Sequence, residues 1–287
     1  MPRGSEARSA PPPREAPPRA RPFLKWVGGK GQLIEQFRPL LPPAFRRYFE
    51  PFVGSAALFF TLRPPVATLT DVNEELVDCY LAVQKHVEDV IRALQRHEYE
   101  EKHYYEVRDR LPAHLPLAER AARTIYLNKT GYNGLYRVNR NGRFNVPFGR
   151  YTNPGFRAAD SLDNLRACSR ALEGVKIRAR DFAQVQRYAR AGDFVYFDPP
   201  YVPVSDTADF TSYVAGGFGL EAQERLAEVF ARLSERGAHV MLSNSDAPQV
   251  RKLYARYRID TVLASRSINS KITKRGKVGE VVVRNYG

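Results

Sequence analysis

Hydrophobic positions recur with two different spacings along the chain. Short runs of β-branched and aromatic residues predict strands, and apolar residues three or four positions apart predict amphipathic helices. Seven strands are predicted, at Arg47–Phe52, Val66–Thr70, Val175–Ala179, Asp193–Phe197, Ala238–Ser243, Arg258–Leu263 and Val278–Arg284. Helices are predicted near Ala56–Leu62, Leu162–Leu172, Phe182–Ala191, Leu220–Arg236 and Ala247–Tyr254. Because strands and helices alternate, the pattern predicts an α/β fold with a mostly parallel sheet covered on both faces.

A segment with a different sequence pattern interrupts this alternation between about residues 74 and 160. Apolar residues at helical spacing follow Asn73 as far as Leu94, and two more helices are predicted at Tyr104–Leu111 and Ala118–Asn128. Two strand-like runs, Leu135–Val138 and Arg143–Val146, then flank a turn with Asn141-Gly142, where both residues tolerate a positive φ. The pattern therefore predicts a helical and β-hairpin insertion at 74–160 in an α/β domain formed by 23–73 and 161–287.

The composition narrows the class of protein. Of 287 residues, 43% are hydrophobic, which supports a folded core, but no apolar run is long enough to span a membrane. The two cysteines, Cys79 and Cys168, exclude a disulfide scaffold or a cysteine-based zinc site and favour a reducing, cytoplasmic compartment. The first 22 residues hold seven prolines and five arginines and predict a disordered tail. The net charge of +14 indicates a polyanionic partner.

Chemically distinctive residues follow three of the predicted strands. The first strand leads into Phe52-Val53-Gly54-Ser55, where small residues allow a ligand to approach the backbone, and the second ends at Asp71. An acid at that position suits hydrogen bonds from ribose hydroxyls, since ligands of open α/β sheets lie beyond the carboxyl ends of the strands. Taken alone, this pair is better explained by an ordinary strand–turn–helix with a helix-capping Asp71. The two features together are therefore weak indicators of a nucleotide-like ligand.

The most distinctive strand end is Asp198-Pro199-Pro200-Tyr201, which follows a strand of aromatic and aliphatic residues. The prolines fix the backbone and remove two N–H donors, so that a carboxylate, a rigid carbonyl and an aromatic ring converge. Such a group can hold the amino group of a planar base. A second glycine-rich segment, Lys25–Gly31, lacks the residues of a phosphate loop, and we expect Trp26 and Lys30 to face another small ligand.

Taken in order, these motifs resemble the Dam-type DNA adenine-N6 methyltransferases, the alpha group of the D12 class. The resemblance extends from Phe23 to Tyr286 and rests on Phe23–Lys30, Glu50–Gly54, Asp71–Asn73, Tyr126–Arg137, Phe144–Gly149, Asp198–Tyr201, Phe210–Tyr213 and Ser243–Asp246. One departure is Ser55, where many relatives carry a second glycine. The resemblance implies a Rossmann-like class I methyltransferase sheet, with the insertion as the target-recognition domain.

The resemblance also implies the cofactor and the catalytic residues. The cofactor is S-adenosylmethionine, with no metal, and the residues expected around it are Trp26, Lys30, Phe52, Gly54, Asp71, Asp181, Phe182 and Asp198. The catalytic set is Asp198, Pro199, Pro200 and Tyr201. Hydrogen bonds from the adenine amino group to the Asp198 carboxylate and the Pro199 carbonyl localise the nitrogen lone pair, and Tyr201 stacks on a base flipped out of the duplex.

DNA recognition is expected in the insertion, where the stretch from Arg120 to Arg150 holds seven basic residues and no acidic ones. In the family, the positions that match Lys25, Tyr132, Asn133, Leu135, Arg137 and Pro147 read the sequence GATC. Arg140 and Arg143 flank the turn of the hairpin, which is narrow enough for a major groove. A second basic stretch with Lys271 and Lys274 is expected to contact the DNA backbone.

Several alternatives stay open at this point. The same fold can methylate the N4 amino group of cytosine, and a relative that has lost its cofactor can bind DNA without catalysis. Double-stranded DNA is favoured over RNA as the partner. A monomer or weak dimer is expected, and the sequence does not distinguish a solitary enzyme from the partner of a restriction endonuclease.

Overall fold

A seven-stranded mixed sheet forms the centre of the molecule. In the computed structural model, which describes residues 19–26, 28–202, 218–265 and 277–287, the sheet order is β3-β2-β1-β4-β5-β7-β6. The strands are β1 (Tyr48–Glu50), β2 (Ala67–Asp71), β3 (Lys176–Ala179), β4 (Phe194–Phe197), β5 (His239–Ser245), β6 (Arg258–Ser265) and β7 (Lys277–Arg284). All seven predicted strands are present, and the predicted Rossmann-like sheet is confirmed.

The adjacent strands β3, β2, β1, β4 and β5 pair in parallel, and the carboxyl ends of β1, β2 and β4 lie side by side. Tyr48 of β1 is in register with Ala67 of β2 on one side and with Phe194 of β4 on the other. β7 is inserted antiparallel between β5 and β6. All four residues of β4 are buried, as expected for a central strand covered on both faces.

Eight α-helices are present in the described part of the chain, and they create a hydrophobic core on each face of the sheet. They are α1 (Ile34–Phe37), α2 (Ala57–Leu62), α3 (Glu74–Gln95), α4 (Glu101–Asp109), α5 (Leu117–Thr130), α6 (Ala159–Leu172), α7 (Leu220–Glu235) and α8 (Pro248–Leu253). Shorter 3₁₀ helices lie at Lys30–Gln32, Arg38–Leu40, Pro112–His114, Tyr132–Gly134 and Phe182–Arg187. No helix among the described residues is both long and apolar enough to cross a membrane.

The predicted insertion begins with a helix that is capped at its N-terminus and packed against the sheet. The Asn73 side chain caps α3 by accepting a hydrogen bond from the Leu76 N–H at 3.1 Å. α3 packs against α5 and α6 and also touches β2 and β3. The first helix of the insertion therefore also covers the sheet, and the proposed domain boundary at residue 74 stays a prediction.

The basic stretch from Arg120 to Arg150 carries less free charge than its sequence indicates. Arg120 forms a 2.8 Å ion pair with Asp78, and the buried Arg123 lies 3.4 Å from Glu75. Both acids belong to α3 and lie outside the stretch, so the composition of the stretch alone overstates its positive charge. Arg137, Arg140 and Arg143 are all exposed around the turn and account for the positive charge nearest to it.

The predicted hairpin is present, but its antiparallel pairing is shorter than predicted and its turn differs. The described segment contains only isolated bridges, Val138 with Phe144 and Gly131 with Phe148, in place of two continuous strands. Gly142 has a positive φ of 71°, whereas Asn141 does not; the Asn139 side chain instead accepts hydrogen bonds from the Asn141 and Arg143 N–H groups. An Asx-type turn thus replaces the tight two-residue turn.

Two other boundaries differ from the predictions. The helix predicted at Phe182–Ala191 is a 3₁₀ helix that ends at Arg187. Part of the predicted disordered tail is docked on α6: Ala20 is buried, and the Arg21 N–H donates to the Asn164 side chain at 3.0 Å. The rest of that tail, the Phe210–Tyr213 motif and the predicted DNA contacts Lys271 and Lys274 lie outside the described residues.

Candidate active site

A cavity of about 360 Å³ opens at the carboxyl ends of β1, β2 and β4. This is the edge at which open α/β sheets bind ligands. The cavity brings together residues from the N-terminal segment, the three strand ends and the insertion. Its lining includes Trp26, Lys30, Glu50, Phe52, Gly54, Asp71, Leu135, Tyr136, Arg137, Tyr196, Asp198, Pro199, Pro200 and Tyr201.

A buried ion pair lies at the end of β4. The Lys30 Nζ is 2.8 Å from Asp198 Oδ1, and the Lys30 side chain is only 4% exposed. The same ammonium group donates a hydrogen bond to the Gly28 carbonyl and lies 4.7 Å from the centroid of the Tyr201 ring. Lys30 therefore contacts both the carboxylate and the aromatic face of the Asp-Pro-Pro-Tyr motif.

Burial raises the pKa of Asp198 to about 6, and the neighbouring Lys30 ammonium opposes this increase. The negative charge of Glu280 adds to the increase. At neutral pH the Asp198 carboxylate is therefore mostly ionised and can accept hydrogen bonds from a ligand.

The Pro-Pro-Tyr segment is held by side chains from the neighbouring elements. Gln223 of α7 donates to the Pro200 carbonyl at 2.9 Å, and Asn244 of β5 accepts from the Val202 N–H at 3.1 Å. Gln223 and Asn244 are themselves hydrogen-bonded, and the Ser245 hydroxyl donates to the Val202 carbonyl. Three hydrogen bonds with side chains thus hold the segment beyond Asp198, in addition to the constraint from the prolines.

The turn after β1 places backbone against the ligand cavity. Gly54 has a φ of 45°, and a Cβ atom there would lie 3.0 Å from Cδ1 of Trp26. Because a side chain at this position would be both strained and crowded, glycine is the residue that fits. The Trp26 indole in turn stacks on Tyr136 of the insertion, with ring centroids 5.0 Å apart and an interplanar angle of 28°.

Asp71 closes the β1 turn from the neighbouring strand. Its carboxylate accepts hydrogen bonds from the Gly54 N–H at 3.4 Å and the Asn73 N–H at 3.0 Å. Burial raises the pKa of Asp71 to about 6, although these backbone hydrogen bonds oppose the increase. A carboxylate that is buried beside a ligand cavity, despite the effect of burial on its pKa, can accept hydrogen bonds from the hydroxyl groups of a ligand.

Two predicted cofactor contacts lie behind the cavity wall. Asp181 and Phe182 are absent from the described residues that line the cavity, whereas Phe52 lines it and stacks on Phe182 at 5.3 Å. The Asp181 carboxylate is paired with Arg225 at 2.6 Å. The expectation that Asp181 and Phe182 contact the cofactor stays a prediction. For such a contact, the side chain of Arg225, which pairs with Asp181, or that of Phe52, which stacks on Phe182, would have to move.

The predicted DNA-reading residues divide between the cavity and the surface. Leu135 and Arg137 line the cavity, and Arg137 donates to the Asn145 side chain at 2.8 Å. Tyr132 is 54% exposed, and its N–H donates to the carbonyl of the exposed Pro147. Asn133 adopts a left-handed conformation with a φ of 56°. This segment therefore connects the cavity directly with the outer surface.

Lys25 joins this segment to the N-terminal glycine-rich stretch. The Asn128 side chain accepts from the Lys25 N–H at 2.8 Å and donates to the Lys25 and Gly134 carbonyls. The Lys25 Nζ lies 5.1 Å from the centroid of the Tyr151 ring. Lys25 and the residues around Tyr132 thus share one scaffold, as their predicted common role requires.

Sequence reasoning assigned no role to several residues of the site. Glu50 and Tyr196 line the cavity; the Tyr48 hydroxyl donates to Glu50 at 2.9 Å, and burial raises the pKa of Glu50 well above its usual range. Glu280 accepts a hydrogen bond from Tyr201. In the sequence, Glu50 could have been identified as a charged residue at a strand end, next to Pro51. Glu280 belongs to no local motif and could not have been identified in this way.

The described residues contain no cluster of three or more His, Cys, Asp or Glu side chains that could hold a metal ion.

The fold and the site together define an α/β protein with a cavity at the carboxyl ends of its parallel strands, lined in part by Leu135, Tyr136 and Arg137. The sequence pattern of the D12 class N6 adenine-specific DNA methyltransferases matches residues 26–268. The chain belongs to this family of enzymes.

Individual relatives agree with that assignment along nearly the whole chain. The chain is 42% identical over 275 residues to a type II methyltransferase of Lactococcus lactis subsp. cremoris, covering 93% of this chain and 96% of the relative. It is 42% identical over 289 residues to a type II methyltransferase of Methanocaldococcus jannaschii, with 93% and 99% covered. It is 35% identical over 266 residues to the DNA adenine methylase of Escherichia coli K12, with 91% and 94% covered.

Proposed function

We propose that this enzyme transfers a methyl group from S-adenosylmethionine to N6 of adenine within the sequence GATC of duplex DNA. The observation that carries the proposal is the convergence of Asp198, Tyr201 and Asp71 on one cavity whose rim is formed by Leu135 and Arg137. The residues proposed for catalysis, cofactor binding and DNA reading thus line a single cavity. The family assignment is consistent with this arrangement.

The residues that line the cavity fit S-adenosylmethionine. The Gly54 backbone would pack against the ligand without a Cβ atom, and the Trp26 indole and Phe52 ring offer apolar surface. Asp71 would accept hydrogen bonds from the ribose hydroxyls, as an acid does at the end of the second strand of nucleotide-binding folds. When bound, S-adenosylmethionine supplies an electrophilic methyl group. The protein contributes the orientation of the ligand and the exclusion of water.

Asp198 is the proposed acceptor for the target amino group. The N6 lone pair of adenine is delocalised into the ring, which makes the nitrogen a weak nucleophile. Hydrogen bonds from its two N–H groups to the Asp198 carboxylate and the Pro199 carbonyl would favour a pyramidal nitrogen with a localised lone pair. Because Gln223 and Asn244 hold the following residues, this geometry is set before the base arrives.

The target base must leave the duplex to reach Asp198. Flipping a base costs a few kcal/mol, and stacking on an aromatic ring returns about 1–3 kcal/mol. Tyr201 is the proposed stacking partner, since it lines the cavity next to Asp198. The exposed Tyr132 and the residues Asn133 and Arg137 are proposed to contact the DNA around the displaced base.

A transfer assay tests the catalytic proposal. Purified enzyme is incubated with methyl-labelled cofactor and duplex DNA that contains GATC, in parallel with Asp198→Ala. We expect label in the DNA with the wild type, and a loss of more than a hundredfold with the variant, because the principal acceptor is removed. Asp163→Ala, which removes an exposed carboxylate on α6, is the matched control and should retain full activity.

The target sequence and the methylated atom are tested separately. Plasmid treated with the enzyme is cut with nucleases that have opposite sensitivity to adenine methylation at GATC, and the modified nucleoside is identified by mass spectrometry. Protection at GATC together with N6-methyladenine supports the proposal. Unchanged cutting at GATC refutes the assigned sequence, and N4-methylcytosine refutes the assigned base. Absence of cofactor binding would support the non-catalytic alternative.

A further inference from the structure

Tyr201 is held at its hydroxyl, the far end of the side chain. Its hydroxyl donates a hydrogen bond of 2.6 Å to Oε2 of Glu280, and the Lys30 ammonium lies 4.7 Å from the ring centroid. A distance of about 2.5–2.7 Å is typical of a hydroxyl that donates to an ionised carboxylate. This hydrogen bond is therefore a strong anchor at the tip of the side chain.

Glu280 is itself held more firmly than a loop residue would be. It lies in β7, where its backbone is in register with Ser245 of β5 on one side and Val262 of β6 on the other. The residues that follow, Val281, Val282 and Val283, are completely buried. The Glu280 carboxylate thus projects from a strand that has a hydrogen-bonded neighbour on each side.

An anchored hydroxyl determines where the aromatic ring lies. The χ1 torsion of tyrosine has three staggered wells, so an unanchored ring can swing to another position, and a hydrogen bond at its tip opposes that swing. Backbone contacts of Pro200 and Val202 hold the main chain on either side of Tyr201, but they do not restrict this torsion. The hydrogen bond to Glu280 holds the far end of the ring, while the Lys30 ammonium contacts its face.

We infer that Glu280 is a positioning residue for methyl transfer, which holds the Tyr201 ring in the position where the flipped adenine stacks on it. The inference rests on the proposed function, because it assigns a partner to the ring that the target base would contact. Glu280 touches neither the base nor Asp198 in this role. It acts through the Tyr201 hydroxyl, which is 79 residues away in the chain.

A double-mutant cycle tests this role. The turnover number of Glu280→Ala, Tyr201→Phe and the double variant is measured with GATC duplex and labelled cofactor, together with the dissociation constants for DNA and cofactor. We expect Glu280→Ala to lower kcat about tenfold in the wild-type background, since one hydrogen bond to a charged group is lost. In the Tyr201→Phe background the same change should lower kcat less than twofold, because the hydroxyl is already absent.

Two further variants separate positioning from a structural role. Glu280→Gln retains an oxygen acceptor for the hydroxyl and should restore kcat to within about threefold of the wild type. Glu228→Gln removes an exposed carboxylate of α7 and serves as the control with unchanged activity. The cofactor dissociation constant and the unfolding temperature of Glu280→Ala should stay near those of the wild type.

The outcomes distinguish the two levels of the proposal. If the wild type transfers no methyl group to adenine, the proposed function fails before Glu280 is tested. If the wild type is active and Glu280→Ala has the same kcat, the positioning role is refuted. An equal loss of kcat in the wild-type and Tyr201→Phe backgrounds also refutes it, because the effect would then not pass through the hydroxyl. A loss confined to stability or cofactor binding assigns Glu280 a structural role instead.

Discussion

Replacement of Lys30 by methionine isolates the electrostatic contribution of the buried ammonium. Methionine has a similar length and no charge, so Lys30→Met removes the partner of Asp198 and fills much of the same space. The pKa of Asp198 is about 6 although the carboxyl is buried, because Lys30 opposes the effect of burial. An opposite charge within a few ångströms lowers the pKa of a carboxyl by about 1–3 units. We therefore expect the pKa of Asp198 to rise to about 7–9 in the variant.

The change appears as a shift of the acidic limb of the pH–rate profile. Asp198 must be ionised to accept hydrogen bonds from the target amino group, so activity falls as the pH drops through its pKa. With a pKa of about 8, roughly a tenth of Asp198 is ionised at pH 7, and kcat/KM at that pH falls about tenfold. Activity should recover as the pH is raised towards 9.

The assay is methyl transfer at limiting DNA concentration between pH 5.5 and 9.5, which reports the free enzyme. Lys85→Met removes an exposed lysine of α3 and is the control for loss of one positive charge. The reasoning is refuted if Lys30→Met loses activity equally at every pH, because Lys30 would then contribute something other than the ionisation of Asp198. An unchanged profile would refute it as well.

Three further predictions concern the cofactor turn and the DNA-reading segment. Burial raises the pKa of Asp71 from 3.8 to about 6, so the folded state becomes less favourable, by about 3 kcal/mol, as the pH rises through this range. Asp71→Asn should abolish this pH dependence and raise the free energy of unfolding, measured in urea at pH 7.5. It should also weaken cofactor binding, measured by calorimetry. A variant that is less stable than the wild type at pH 7.5 contradicts this prediction. Gly54→Ala forces a Cβ to within 3.0 Å of Trp26 at a φ of 45°, and should weaken cofactor binding at least tenfold, at a cost in stability of roughly 1–2 kcal/mol; equal affinity would show that the turn tolerates the methyl group. Arg137→Lys removes the planar guanidinium group and should relax discrimination at one base pair by about 1–3 kcal/mol. Arg140→Gln should instead lower the salt dependence of DNA binding by about one ion without changing sequence specificity. Binding titrations at several salt concentrations separate the two effects.

The central sheet could be predicted from the sequence because each strand is a short apolar run bounded by turn residues. β4 is the clearest case, since Phe194–Phe197 is apolar throughout and buried throughout. The cavity at the strand ends follows from that topology, and Asp71, Asp198 and Tyr201 could be placed there in advance. The strand order, with β7 between β5 and β6, depends on long-range pairing that no local pattern contains.

Contacts between distant side chains account for most of what the sequence did not predict. Arg120 and Arg123 belong to a stretch without acids, yet Asp78 and Glu75 neutralise them from another helix. The turn at Asn139–Gly142 was mispredicted for a local reason, because the Asn139 side chain accepts hydrogen bonds from the Asn141 and Arg143 N–H groups in addition to the backbone hydrogen bonds across the turn. Glu280 has no motif of its own and is identified only by its distance from Tyr201.

The stacked pair Trp26 and Tyr136 bears on the energetic coupling between cofactor binding and DNA binding. Trp26 lies over the Gly54 turn, and Tyr136 immediately precedes Arg137 in the DNA-reading segment, so the proposed sites for cofactor and DNA share one aromatic wall. Linkage requires that any factor by which cofactor binding tightens DNA binding also applies in the reverse direction. Measuring one of these two cooperativity factors therefore determines the other, and substitution of Tyr136 should change both by the same ratio.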